Sequence, residues 1–320
     1  MNTDQVIFFD GRFVPAAEAK VSVMTHALNY GTGCFEGIRG YATADGGVAV
    51  FRLREHMRRL LQSSHVIGCA VPYTADELCA LAVDLVRRND QHSDLYIRPL
   101  VYKSGEGIGV KMMGVPDALT MFSVPFGQYI ENDGGIRCAI SSWRRSTDNT
   151  VPPRAKITGG YINAALAKNE ALQNGYDEAI MLTDSGFVSE GSAENLFIVR
   201  DGALHTPAIS DNILEGITRH TISTLAEAEL GVPTVERAIN RTELYTADEL
   251  FLCGTGAEIT PVIEVDRRMV GTGHVGPLTQ KLREVYFSVV KGNHPRYAHW
   301  LTPIYESVSA GAAVGSGRQG

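Results

Sequence analysis

The stretch Pro152–Lys168, PPRAKITGGYINAALAK, decides how the rest of the chain is read. Pro152 and Pro153 fix their own φ and bias their predecessors away from helix, so the approach is expected to be extended. Lys156 follows at once, and Gly159 and Gly160 are then expected to turn the backbone sharply. From Tyr161 a run carrying Ala164, Ala165, Leu166, Ala167 and Ala171 predicts a helix that stops at Asn174-Gly175. One lysine therefore stands on a constrained segment just before a glycine-rich turn into helix. A lysine held in that way can form a Schiff base, whereas a surface lysine sits on a mobile, solvated face. On this stretch alone, a plain strand-end lysine is the alternative.

Around it lies a chain of 320 residues, long enough for two domains with a core each. Apolar residues make up 44% and charged residues 20%, as in an ordinary globular protein. A formal net charge of −7 without a basic run argues against a nucleic-acid partner. No apolar stretch has the length of a membrane span, and MNTDQVIFFDGRF lacks the basic start and cleavage site of a signal peptide. The five cysteines, at 34, 69, 79, 138 and 253, are scattered with no CxxC pair. That spacing speaks against a disulfide framework or a bound metal and fits a cytoplasmic protein.

Upstream of the central stretch, Val6–Phe9, Asp10-Gly11 and Arg12–Val14 predict a hairpin. VSVMTHALNYGTGCFEGIRGY then places glycines at 31, 33, 37 and 40, a density that lets backbones approach closely; a simple glycine-rich loop is the other reading. Residues 52–68 predict a helix with Met57, Leu60, Leu61 and Ile67 inward and Arg58 and Arg59 beside that stripe. Thr74 caps a second helix, with Asp76 and Glu77 in its first turn and Arg87 and Arg88 in its last. DLYIRPLVY is a strand on which Tyr96 and Arg98, two apart, share a face and form a carboxylate clamp. The strand 118–125 leads into FGQYI, which puts Phe126 and Tyr129 in a loop. Downstream come short strands joined by tight turns, a helix after Leu214-Glu215-Gly216-Ile217-Thr218, a strand running into Gly254-Thr255-Gly256-Ala257, and a last helix over 277–291.

The fold class expected from this order is α+β in two domains with the site in the cleft between them. Residues 1–125 form a small N-terminal α/β domain, 126–135 the connecting loop, 136–306 a larger cofactor-binding domain, and 307–320 a Gly/Ala/Ser-rich flexible tail. Several features point toward Lys156. Glu190 and Glu194 flank a turn of small residues. The helix start at Ile217-Thr218 favours a phosphate, and the 254–257 turn offers further free N–H groups. Each alone reads equally as a turn. Together with an arginine on a helix they make the set that pyridoxal 5'-phosphate requires: a Schiff-base lysine, a phosphate cup, and an acid for the pyridine nitrogen.

The motifs HALNYGTGCFEGIR, EHMRRL, YIRPL, AKITGGYINAALA, SEGSAENLF, LEGITR and GTGAEITPV occur in this order between His26 and Val262, within a resemblance that runs from about Phe8 to about Val290. In that combination the chain resembles the branched-chain amino acid aminotransferases, class IV (fold type IV) pyridoxal-phosphate enzymes related in fold to the D-amino acid aminotransferases. The resemblance implies that Lys156 is the Schiff-base lysine and proton carrier, that Glu190 pairs with the pyridine nitrogen, and that Tyr161 hydrogen-bonds the ring hydroxyl. Arg59, Ile217, Thr218 and Thr255 would hold the phosphate. Tyr96, Arg98, Thr255, Gly256 and Ala257 would orient the substrate carboxylate. Phe35, Gly37, Phe126 and Tyr129 would line the side-chain pocket. Tyr30 and Val110 would reach the neighbouring site of a homodimer, with a trimer of dimers as a larger assembly. The implied reaction moves the amino group of L-Leu, L-Ile or L-Val to 2-oxoglutarate. Phe126 stands where many bacterial members carry tryptophan, and Gly256 where they carry alanine, so the substrate side departs from the pattern. A D-amino acid or (R)-selective amine transaminase, an aminodeoxychorismate lyase and a non-catalytic binding protein are the alternatives.

Overall fold

The computed structural model describes residues 5–127 and 134–305. The first part of the chain runs β1 (Val6–Phe9), β2 (Arg12–Pro15), α1 (His26–Tyr30), β3 (Gly33–Phe35), β4 (Ile38–Ala42), β5 (Val48–Phe51), α2 (Leu53–Val66), α3 (Ala75–Arg88), β6 (Leu95–Lys103) and β7 (Asp117–Pro125). The second runs β8 (Ile136–Arg144), α4 (Tyr161–Gln173), β9 (Glu178–Leu182), β10 (Val188–Gly191), β11 (Asn195–Arg200), β12 (Ala203–Thr206), α5 (Ile217–Leu230) and β13 (Thr234–Glu236). It closes with β14 (Glu249–Gly254), β15 (Glu258–Val265), β16 (Arg268–Met269), α6 (Pro277–Val290) and β17 (Leu301–Pro303). The tail at 307–320 and Tyr129 lie outside the described residues.

The first sheet has the order β17-β5-β4-β6-β7-β1-β2, with β3 also on β6. Period-two alternation in β6 sends Leu95 and Ile97 into a core with Met57 and Leu60 of α2 and Leu78 and Leu85 of α3. The same alternation leaves Tyr96 and Arg98 half-buried on the opposite face. Helix α3 starts as its sequence dictates. The Thr74 N–H donates to Glu77 Oε2 at 2.7 Å and the Glu77 N–H to Thr74 Oγ1 at 3.3 Å, a reciprocal cap of about 1 kcal/mol.

The second sheet has the order β10-β9-β8-β15-β14-β11-β12-β13, with β16 on β15. It is mixed: β8 runs parallel to β9 and β15, and β12 parallel to β13. Helix α4 makes the crossover from β8 to β9 and α5 that from β12 to β13. Alternate residues of β11 and β14 serve two cores. Phe197, Val199 and Phe251 pack against Ile222 and Leu225 of α5 and Leu282 and Tyr286 of α6. Leu196, Ile198, Leu250 and Leu252 pack on the other face with Ile180 and Leu244. Burial on both faces is why these strands read as continuous apolar runs.

Strand β17 pairs with β5, Leu301 opposite Phe51, so Leu301–Pro303 returns to the first sheet. Tyr41 and Phe51 of that sheet share the α5–α6 core with Trp300. The division expected at 126–135 is therefore crossed by the C-terminal strand and by one continuous core. No helix among the described residues is long and apolar enough to cross a membrane.

Candidate active site

The segment before Lys156 is less extended than its prolines suggest. The Ala155 N–H donates to Pro152 O at 3.2 Å, closing a turn over Pro153-Arg154. What fixes Lys156 is lateral. Its N–H donates to Ser63 Oγ at 3.1 Å, its carbonyl accepts from the Phe35 N–H at 3.0 Å, and Ile157 forms a bridge with Cys34. Helix α2 and strand β3 thus clamp the lysine's backbone from two sides. The glycines that follow have a different task from the expected sharp turn. Thr158–Gly160 is a 3₁₀ turn leading directly into α4, and Gly160 has φ −68° and ψ −21°, open to any residue. Gly159 is needed for closeness: its N–H donates to Gly31 O at 3.1 Å, and a Cβ on Gly31 would lie 2.7 Å from Gly159 Cα.

Lys156 projects into a cavity of about 330 Å³ between the two sheets. Its Nζ donates to Tyr161 Oη at 2.7 Å and stands 5.2 Å from the Phe35 ring centroid. On the second-sheet wall lies Glu190, 3% exposed, at the end of β10. Its Oε1 meets Arg145 Nη2 at 2.7 Å, and its Oε2 accepts from Asn195 Nδ2 at 3.0 Å and the Leu214 N–H at 3.1 Å. Burial pushes the Glu190 carboxyl above the usual range, and Arg145 is the largest influence pulling it back. Glu194 is also buried in this wall; burial, with Glu178 adding to it, pushes its carboxyl up to about 8. Glu178 in turn is paired with Lys168.

The cationic corner of the cavity is built by α2 and α5. Arg59 is buried and Arg58 exposed. Arg59 Nε and Nη2 grip Glu36 at 2.6 and 2.8 Å, and its Nη1 donates to Glu215 O at 2.9 Å. Glu36 is fully buried and also bonds His56 Nδ1 at 2.8 Å. Burial opposes its charge, yet Arg59 wins and holds the carboxyl well below its usual range. Burial also pushes His56 down. His56, Arg59 and Ser63, spaced three and four apart, form one stripe of α2 facing the site. Opposite Arg59 is the start of α5, where the N–H groups of Ile217 and Thr218 have no acceptor inside the helix. Gly216 and Thr218 line the cavity and Ile217 stands between them without doing so. A Cβ on Gly216 would overlap Asn195 Oδ1, so glycine is required there.

The first-sheet wall is aromatic. Tyr96 Oη accepts from Arg98 Nη2 at 2.7 Å, and the Arg98 guanidinium lies 4.3 Å from the Phe35 ring centroid. Gly37 faces them, and a Cβ there would overlap the Tyr96 hydroxyl. Phe126 packs 5.1 Å from Tyr96, and Thr255, Gly256 and Ala257 line the rim as the tip of the β14–β15 hairpin. Arg39 binds this rim together: it donates to Phe126 O and Gly127 O at 3.2 and 2.9 Å, and pairs with Glu258 at 3.3 Å. Tyr30 and Val110 are exposed outside the cavity; the Gly109 N–H donates to Tyr30 Oη at 2.8 Å.

The described residues expected at the site thus converge, apart from Ile217, Tyr30 and Val110 as noted. Glu36, Arg145 and Asn195 were not singled out from the sequence. Glu36 sits inside the FEGIR motif and Asn195 inside SEGSAENLF, so both were in view without a role. Arg145 carried no signal beyond its place at a strand end. The cavity suits the expected cofactor by its chemistry: an amine, a buried carboxylate opposite it, and an arginine with free helix N–H groups for a dianion.

Comparison with known proteins agrees with that chemistry. The family amino-transferase class IV matches residues 33–265. The branched-chain-amino-acid aminotransferase of Pseudomonas aeruginosa is 44% identical over 304 residues, covering 94% of this chain and 98% of that one. A branched-chain aminotransferase from Thermoproteus uzoniensis, crystallised with norvaline, superposes with a TM-score of 0.90 at 49% identity, covering 94% and 99% of the two chains. The enzyme of that name from Thermobaculum terrenum, in its pyridoxal-phosphate form, gives 0.91 at 41% identity, covering 95% and 100%.

Proposed function

This chain belongs to the class IV aminotransferases, which use pyridoxal phosphate, and from that premise we propose that it is a branched-chain amino acid aminotransferase. It moves the amino group of L-Leu, L-Ile or L-Val to 2-oxoglutarate, giving branched 2-oxo acids and L-Glu. The observation that carries this reading is one cavity with two unlike walls: Lys156, Glu190, Arg59 and the α5 start on one side, Phe35, Tyr96, Arg98 and Phe126 on the other.

In this reading Lys156 Nζ is the attachment point and the group that takes the α-proton and returns it. Tyr161, already bonded to that amine, holds the ring hydroxyl. Glu190 faces the pyridine nitrogen. Arg59, Thr255 and the N–H groups of Ile217 and Thr218 hold the phosphate. The bound cofactor supplies a protonated ring that withdraws electrons from the substrate's α-carbon. Tyr96, Arg98 and the 255–257 tip orient the carboxylate, and Phe35, Gly37 and Phe126 admit an aliphatic side chain. Arg98 also suits the second carboxylate of 2-oxoglutarate, since a guanidinium donates to water or to carboxylate alike.

The active form is a homodimer in the cytoplasm. Supporting it, Val23, Leu28, Ile108, Val110 and Met113 are exposed apolar side chains on segments tied together by the Thr25–Glu106 bridge and the Tyr30–Gly109 bond. None of the five lines the cavity of its own chain, and Tyr30 and Val110 would serve a partner's site. Sedimentation should give a dimer or an assembly of dimers. Activity is tested by L-glutamate formation from 2-oxoglutarate with L-leucine, D-alanine and (R)-1-phenylethylamine as separate donors. L-Leucine should be fastest; a faster D-alanine or amine would move the enzyme to another member of the same fold.

A further inference from the structure

We propose that Arg145 is the positioning residue for Glu190, holding its carboxylate ionised and turned into the cavity, so that protonation of a pyridine nitrogen set there depends on Arg145. This rests on the reading of Glu190 given above.

Glu190 is 3% exposed and has three donors on its two oxygens. Asn195 Nδ2 and the Leu214 N–H are neutral. Arg145 is the cation, with its Nη2 2.7 Å from Oε1. Burial pushes a carboxylate toward its acid form, and neutral donors such as the Leu214 N–H offset that less than the contacting Arg145 cation does. Among the described residues Arg145 makes no other ion pair, and its Nε is buried without a partner. A guanidinium kept in that state is costly, so a fold that needed only packing at this strand end would do better with an apolar side chain. Its backbone is fixed by the Arg145 N–H to Leu182 O bond of 2.9 Å, which anchors the guanidinium against the carboxylate.

The consequence is a proton balance between two atoms. One proton is shared by a Glu190 oxygen and the ring nitrogen, and it rests on the stronger base. Arg145, bound directly to the carboxylate, weakens that base more than it disfavours a ring cation lying a carboxylate's width farther away. With Arg145 the proton stays on nitrogen; without it the proton moves toward oxygen, and the ring withdraws electrons less strongly. Other charges facing Glu190 are Lys156 across the cavity, Arg59 and the neighbouring Glu194. Lys156 and Arg59 are committed to other atoms, and Glu194 is a carboxyl, so none replaces Arg145.

The test is the 15N chemical shift of ring-labelled pyridoxal phosphate in reconstituted wild type, Arg145→Met, Arg145→Lys, Arg145→Gln and Glu190→Ala between pH 6 and 9. Wild type should show protonated nitrogen throughout. Arg145→Met should move toward the unprotonated value, with Arg145→Lys restoring most of the difference. Its kcat should fall by about 10²-fold, the size seen when one preorganised electrostatic group is lost, with KM for L-leucine little changed. If Arg145→Met does not hold the cofactor, Arg145→Gln is read in its place. A neutral variant that keeps the wild-type shift at every pH overturns the proposal. Should Glu190→Ala itself leave the shift unchanged, the assignment of Glu190 to the ring nitrogen fails, and with it the premise of this inference.

Discussion

The two walls of the cavity are built differently. The wall of Glu190 and Arg59 consists of buried charges, each with several partners. Glu190 has three, Arg59 makes three bonds to two partners, Glu36 and the Glu215 carbonyl, and Glu36 behind Arg59 is fully enclosed. The wall of Tyr96, Arg98 and Phe126 is half-buried and held by ring contacts and one hydroxyl–guanidinium bond pair. A buried charge that loses a partner costs about 3–5 kcal/mol, so the first wall tolerates little change. Ring contacts are worth about 0.5–1.5 kcal/mol each, so the second can vary. The departures noted from the sequence, Phe126 and Gly256, both fall on the second wall or its rim. A rigid cofactor site with an adjustable substrate face is what the contrast teaches.

The largest effect that should follow is at Lys156. Lys156→Ala removes the amine proposed to move the proton, and turnover should fall by about 10⁴-fold, measured as L-glutamate formed. Normal activity there would end the distinction between the walls. Next comes Glu190→Ala, which should lose about 10²–10³-fold in kcat while still retaining cofactor through Arg59 and α5. A variant within a few-fold of wild type would remove Glu190 from its role.

On the other wall, Arg98→Ala should raise KM for 2-oxoglutarate by about 10–100-fold, the value of one or two charge-assisted hydrogen bonds. L-Leucine, with one carboxylate, should be affected less, and cofactor affinity should not change. Equal losses for both substrates together with lost cofactor would show that the walls are not separable. The smallest effect concerns Glu194. Its folded pKa, raised to about 8, exceeds the unfolded carboxylate value of about 4.3. Its contribution is therefore fully present below the unfolded value and is lost as pH rises through about 8. Between those limits wild type should lose melting temperature relative to Glu194→Gln, by a few degrees at most. Parallel curves for the two proteins would place the titration elsewhere.

Local chemistry made much of this legible in the sequence. The cap at Thr74, the period-two face of Tyr96 and Arg98, and the helix start at Gly216-Ile217 follow from residue spacing, and each appears where spacing puts it. Combined motifs placed Lys156, Glu190 and Arg59 in one site. What escaped was tertiary. Glu36 and Arg59 are 23 residues apart, and Arg145 and Glu190 are joined only because strand β8 pairs with β9, which pairs with β10. No periodicity carries such pairings. In the sequence Gly159 suggests freedom to turn, but in the fold it serves a backbone contact with Gly31, more than a hundred residues earlier. Proline was read as stiffening Pro152-Pro153 into extension, and a turn at Pro153-Arg154 prevailed because side-to-side bonds from Ser63 and Phe35 set the path of Lys156.

The central claim is that Lys156 carries the cofactor and that the second wall selects an L-branched substrate. Its most direct measurement is the visible absorption of the purified protein, loaded with pyridoxal phosphate, before and after L-leucine, D-alanine or (R)-1-phenylethylamine without acceptor. The account predicts a visible band that disappears quickly with L-leucine and slowly with the other two. Absence of any such band after pyridoxal phosphate is added would contradict the role of Lys156.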